Sequence, residues 1–223
     1  MLKGMISIGL DLATPIIKKF IKKVSPSKIT LLKPVIKIGT HMLSSVGGER
    51  LIGKWRVESI YELLPEVVPK LLNMACELKP YTQQLNNYGN EFKDVFPNIV
   101  SFGNEIINPI INRNEELADA FSKIEVPIKG NVILKDMNIT ISGEVGKKVY
   151  MKWGEDPEVD VTLTLSTQDL FEIFNELMIS MMDGVSEALP KDIRFNNSEA
   201  LSKVYQLVDL LDVAEKVSGI PIG

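Results

Sequence analysis

Few side chains in this sequence are of a type and spacing that could do covalent or metal chemistry. His41 is the one histidine and Cys76 the one cysteine. A zinc site needs several Cys, His, Asp or Glu at ligand-like spacing, and no such set accompanies either residue. Both read as buried or incidental. A single cysteine makes no internal disulfide, which fits a reducing compartment. Glu155, Asp156, Glu158 and Asp160 crowd in and beside a turn and read as a solvated charge run, not an acid–base pair. The stretch SVGGERLIGK holds glycines and a lysine but lacks the GxxxxGK[ST] spacing of a phosphate loop, and no GxSxG, HExxH or paired-cysteine motif occurs. The expectation is a non-enzymatic protein with no cofactor and no metal.

What remains is apolar chemistry. The stretch EVDVTLTLSTQDLFEIFNELMISMM, residues 158–182, alternates up to Leu165 and then repeats every three or four residues. That is a strand running directly into a helix. Ser166 is placed to cap the helix, with Asp169 three residues on in a capping-box arrangement. Leu170, Phe171, Phe174, Leu177, Met178, Met181 and Met182 line one side; Glu172, Asn175, Glu176 and Asp183 line the other. Gly184 or Pro190 is the expected stop. A ligand-binding lining is concave and mostly apolar, and methionine adapts to irregular shapes. The same stripe is also what an ordinary folding core looks like.

Two regions must position this stretch. Residues 1–121 read as helical, and Pro15, Pro26, Pro34, Pro65, Pro69, Pro97 and Pro109 predict repeated breaks into short packed helices, Pro15 as a first helical residue. From residue 122 onward the period falls to two. Met137, Ile139 and Ile141 alternate with Asn138, Thr140 and Ser142. Val149, Met151 and Trp153 share one face, as do Val159, Val161, Leu163 and Leu165. Turn signals about every ten residues predict an antiparallel meander, with DIRF as a fifth strand. A last helix opens at Asn197 or Ser198 with Leu201, Val204, Tyr205, Val208 and Leu211 inward. The fold class is therefore α+β: an all-helical region over 1–121, then over 122–223 an antiparallel sheet of about five strands covered by helices.

The order of these elements, with VDVTLTLSTQDLFEIF followed by DIRFNNSEALSKVYQL, resembles the sterol carrier protein type 2 family over residues 125–217. Asn196–Asn197 stand where that family usually has a glycine followed by an acidic residue or Asn. The resemblance implies a small α+β domain whose five-stranded sheet and helices enclose an apolar tunnel. It implies non-covalent binding of lipids, fatty acyl chains or sterol-like molecules, some members being accessory domains of larger proteins. The expected lining is Phe171, Phe174, Met178, Met181, Leu201, Tyr205 and Val208, and the expected function is binding or transfer of an apolar ligand. The alternative is an interaction scaffold or accessory subunit with a filled core, docking a protein partner through the helical region.

Charge adds a second expectation. Residues 1–50 hold nine Lys and Arg against Asp11 and Glu49, a balance of +7, leaving −11 for the rest of a chain whose total is −4. In TPIIKKFIKKV the lysines Lys18, Lys19, Lys22 and Lys23 oppose Ile16, Ile17, Phe20, Ile21 and Val24. That amphipathic basic pattern suits an anionic membrane surface, with Phe20 and the four lysines in contact, or a helix whose apolar face packs on its own chain. Nucleic acid is not expected, because the basic segment lacks the stacking rings of single-strand binders. The N-terminal MLKGMISIGLDLATPII carries Asp11 within its apolar stretch and reads as mature sequence. The expected location is cytoplasmic, at most peripheral to a membrane.

Overall fold

Prolines behave in two ways in the helical half. The computed structural model describes residues 2–55, 61, 64–183 and 193–218. Pro26, Pro34 and Pro97 occupy first turns of helices, opening α2 (Pro26–Ile29), α3 (Lys33–Val46) and α7 (Phe96–Asn112), where a missing N–H costs nothing. Pro15, Pro69 and Pro109 do not break the chain as expected. They lie inside α1 (Leu2–Lys23), α5 (Leu64–Leu78) and α7. Each leaves the carbonyl four residues back without its helical donor, and flanking turns held by tertiary packing carry the helix through. The remaining elements of this half are α4 (Gly48–Trp55), α6 (Thr82–Phe92) and α8 (Glu115–Ser122). Asn114 caps α8 by accepting the Leu117 N–H at 2.9 Å. Among the described residues, no helix is long and apolar enough to cross a membrane.

The sheet comprises β1 (Ile128–Leu134), β2 (Ile139–Val145), β3 (Val149–Trp153), β4 (Val161–Leu165) and β5 (Ile193–Phe195), in the order β3-β2-β1-β4-β5. Five strands and the α+β class are as expected; the pairing is not wholly so. β1–β2, β2–β3 and β4–β5 are antiparallel, but β4 lies parallel to β1. The sheet is mixed because the chain after β3 crosses to the far side of β1 instead of turning back on β3. Gly154, at φ +101°, makes the exit in a conformation that side chains resist. Asn131 on β1 then holds the crossing loop, donating to the Asp156 carbonyl at 2.8 Å and accepting the Asp156 N–H at 3.1 Å.

Two apolar clusters join the halves. Ile21 of α1, Leu78 of α5 and Phe171 of α9 (Thr167–Asp183) form one, with Ile17, Met74, Tyr81 and Phe174 against it. Ile111, Phe121 and Ile124 form the other, meeting Val145 and Val149 of the sheet and Leu207 and Leu210 near α11 (Val208–Ser218). Between β5 and α11 lies the short α10 (Ala200–Tyr205).

The edge strand β3 is closed by a helix. Asn104 and Asn108 of α7 each form a donor–acceptor pair with its backbone. Asn104 accepts the Met151 N–H at 2.7 Å and donates to the Met151 carbonyl at 2.5 Å; Asn108 does the same for Val149, at 2.9 Å both ways. Four helical residues rise about 6 Å and two strand residues about 6.6 Å, so the spacings match. Nearby, Phe96 stacks on Trp153 with centroids 5.6 Å apart. An otherwise open edge is thereby paired, which blunts strand-to-strand association.

Candidate functional site

Strand alternation sorts the sheet into two faces. Lys129, Asn131, Thr140, Ser142, Glu144, Lys152, Thr162 and Arg194 share the polar one, by the register of their strands. The opposite face is apolar and arranged in rows across the strands. Its two end rows are covered: Ile128, with Val145 and Val149, by the second cluster, and Ile139 and Leu165 deep in the interior. The two middle rows are covered only in part: Ile141, Leu163, Val161 and Met151 are half-buried, Met151 close to Gly103 of α7, while Val132, Ile193 and Phe195 are exposed. One runs Ile141, Val132, Leu163, Ile193; the next runs Met151, Gly143, Gly130, Val161, Phe195. Val132, on the central strand, keeps 41% of its surface exposed, and Phe195 keeps 45%. Exposure of Ile193 and Phe195 follows partly from the edge position of β5. Exposure of Val132 does not, because it has a strand on either side.

The paired glycines explain the depth of this surface. Gly130 and Gly143 face each other across β1 and β2. A Cβ added at Gly130 would meet only the Val161 carbonyl oxygen, at 3.5 Å, and one at Gly143 only that of Tyr150, at 3.3 Å. Both contacts are neighbouring strand backbone. Among the described residues, no helix atom comes within 4 Å of either Cβ position. The result is a shallow apolar trough, walled by Met151 on one side and Val161 on the other.

The sequence-based lining is placed in three different settings. Phe171 is buried and Phe174 half-buried, edge to face at 6.5 Å, and both point into the cluster with α1 and α5. Met178 and Met181 lie farther along α9; their side chains fall outside the described ones. Leu201, Tyr205 and Val208 stand exposed. The inward face there is Ala200, Val204, Leu207 and Leu210; of the expected Leu201, Val204, Tyr205, Val208 and Leu211, only Val204 is on it. The inward face in α10 lies one residue before the expected one, at Ala200 and Val204, and the turn at Gln206–Leu207 then divides the expected single helix into α10 and α11. The expected stops at Gly184 and Pro190 lie outside the described residues. Of the trough residues, Leu163 is on an expected strand face, but Val132, Gly130, Gly143, Ile193 and Phe195 are not marked by the sequence reading. The signal available was a glycine in each of two paired strands, which marks a close backbone approach or missing bulk.

The chemistry-bearing residues are otherwise engaged. Cys76 donates to the Asn175 side-chain oxygen at 3.9 Å. Burial pushes its thiol up, against the pull of a backbone hydrogen bond and of Lys79, and a raised thiol is a poorer nucleophile at neutral pH. No group of three or more His, Cys, Asp or Glu among the described residues could hold a metal ion. Asp160 departs from the expected solvated run. It is 5% exposed, accepting from the Lys129 N–H at 3.0 Å, Asn197 at 2.8 Å and Lys203 at 2.7 Å. Burial raises its carboxyl, but the Lys129 amide and the Lys203 and Asn197 side chains outweigh that and hold it below the usual carboxylate range. The network ties the start of β4 to β1 and to the β5–α10 turn, and so sets the end of the trough.

On α1, Lys18 pairs with Glu77, and Lys22 lies over the Tyr81 ring at 5.5 Å. Lys19, Lys23 and Phe20 are exposed, Phe20 tilted against Tyr88. Ile17 and Ile21, the centre of the expected apolar face, pack inward.

No family model matches this chain, and no curated protein matches it. Among solved structures, it is similar to a double mutant of the sec-alkyl sulfatase PisA1, at 13% identity and a TM-score of 0.28, over 78% of this chain and 32% of that one. It is also similar to the stereoselective inverting sec-alkylsulfatase Pisa1 from Pseudomonas sp., at 12% identity and a TM-score of 0.27, over 75% of this chain and 29% of that one. The chain thus spans about a third of the length of these structures. A likeness of this size carries no inference about chemistry.

Proposed function

We propose that this protein binds an apolar ligand, a lipid or fatty-acyl chain, non-covalently in the trough on the apolar face of the sheet. The carrying observation is Val132: a β-branched residue on the central strand, 41% exposed, beside two glycines whose Cβ positions meet only strand carbonyl oxygens within 4 Å. A sheet normally buries such a face against helices. Here the described helices cover its two ends and leave Val132, Ile193 and Phe195 of the middle rows exposed. Each methylene laid against that surface gains about 0.8 kcal/mol on leaving water, so an extended chain of several carbons gains enough to bind without any polar anchor. The resemblance of residues 125–217 to sterol carrier proteins supports the same reading.

The test pairs mass spectrometry of an organic extract with titration of a fluorescent acyl probe, on wild type and on Val132→Lys. The expected result is a co-purified apolar molecule and saturable probe uptake in the wild type, with affinity reduced at least about tenfold in a variant that melts cooperatively. Equal uptake by both proteins, or none by the wild type, would remove the trough as a ligand site and leave the scaffold alternative.

A further inference from the structure

Helix α3 is folded inside out. Its inward side is polar: Lys33 and Lys37 reach Asp94 at 2.9 and 3.1 Å, while Thr40 and Ser44 line a cleft of about 360 Å³ against Asn98, Ser101 and Glu105 of α7. No residue of α3 is buried. The opposite side is aliphatic. Leu31, just before the helix, then Val35, Ile38 and Met42 follow at spacings of four, three and four, and are 78%, 65%, 60% and 63% exposed. That spacing keeps one face of a helix, so the four side chains form one continuous stripe about 16 Å long. A soluble helix turns such a stripe to the core.

The surroundings say what covers it. Between residues 12 and 48 the chain holds seven lysines and no Asp or Glu. Lys19, Lys23 and Lys28 are exposed. The same span has no Trp, Tyr or Arg, the residues that dominate protein–protein interfaces, in which lysine is depleted. Three of the seven, Lys18, Lys33 and Lys37, pair with Glu77 and Asp94, and exposed Lys28 lies three residues before Leu31. Aliphatic side chains in a lysine-rich segment free of acids are the composition of a helix lying in the headgroup region of an anionic bilayer. We infer that α3 is a membrane-contact element, seating Leu31, Val35, Ile38 and Met42 in the interface of an anionic lipid surface. It stands on α3 and does not depend on the trough. On α1, Ile17 and Ile21 are occupied in the core, while Leu12, Ile16 and Phe20 stay exposed along with Lys19 and Lys23.

Flotation with phosphatidylcholine vesicles, with and without phosphatidylserine, tests this on the full chain. Ile38→Asp combined with Met42→Asp alters exposed side chains only, and a thermal melt checks that it folds. Expected are binding to the phosphatidylserine vesicles, weakening with salt, and a loss of at least about tenfold in the variant. A second readout is Val35→Trp, whose emission shifts to the blue on the same vesicles. Wild type that fails to float, or a variant that floats equally well, overturns the inference. So does a wild-type dimer that the variant converts to monomers without any vesicle binding, which would give the stripe to a second copy. Val132→Lys leaves flotation unchanged, so failure of the ligand reading and failure of this one are told apart.

Discussion

At the residue scale, Asp160 shows how a carboxylate in a charged run becomes structural. Four acidic residues between 155 and 160 read alike as solvated, yet only tertiary neighbours distinguish Asp160. Its hydrogen bonds come from β1 and from Asn197 and Lys203, 37 and 43 residues away. Because its folded pKa lies below the unfolded value, the stability it contributes is fully present above the unfolded pKa near 3.9 and is lost as pH falls through the folded value. Urea melts in steps from neutral to acid pH are expected to show this fall in wild type and to lack it in Asp160→Asn. That variant loses about 2 kcal/mol at neutral pH, the worth of charge-assisted hydrogen bonds. An equal acid slope in both proteins would assign the loss to other carboxylates.

At the element scale, caps were legible and prolines only in part: Pro26, Pro34 and Pro97 start helices, whereas Pro15, Pro69 and Pro109 lie inside them. Ser166 and Asp169 make the expected capping box: the Asp169 carboxylate accepts the Ser166 N–H at 2.6 Å and its hydroxyl at 2.7 Å. This is local chemistry within four residues, so sequence suffices. Whether proline ends a helix depends on what can accommodate the carbonyl it orphans. At Pro109 that carbonyl belongs to Glu105, and Gly48 of α4 is packed on it; a Cβ there would stand 1.7 Å from the oxygen. Backbone cannot yield by that much, so Gly48→Ala is expected to cost about 3 kcal/mol in chemical denaturation. A cost below about 1 kcal/mol would mean that α4 can slide on α7.

The closure of the β3 edge belongs to the same scale. Asn104→Leu and Asn108→Leu each leave one strand N–H and one carbonyl unpaired, at about 1–3 kcal/mol apiece. The double variant is expected to self-associate in size-exclusion chromatography, because the edge becomes free to pair. Persistent monomers at matched stability would show that α7 shields the edge by bulk alone.

At the scale of the whole molecule, the two halves share their cores across the boundary at residue 121. Phe171 is buried against α1 and α5, and Val145 and Val149 against Phe121 and Ile111. Truncation to residues 122–223 is therefore expected to expose these side chains and lower the melting temperature by more than about 10 °C, if the fragment folds at all. A fragment melting like the full chain would make the helical half an appendage. Both proposed contacts depend on this assembly: the described helices cover the ends of the sheet and leave Val132, Ile193 and Phe195 exposed, and α7 holds the polar side of α3 so that the apolar stripe faces outward.

Sequence alone determined the α+β class, the number of strands, the alternation that gives the sheet one apolar face, and the start of α9. Each follows from residue order within a turn or a few residues of strand, where propensity and capping act directly. Tertiary structure decided the parallel pairing of β4 with β1, the phase of the last helices, and which apolar faces are covered. A periodic stripe shows that a helix or strand has an apolar face, but not what lies against it. On α1, Ile17 and Ile21 meet α5 and Phe171 while Ile16 stays exposed, and the apolar stripe of α3 is left to solvent, because what packs on each face is set by distant parts of the chain.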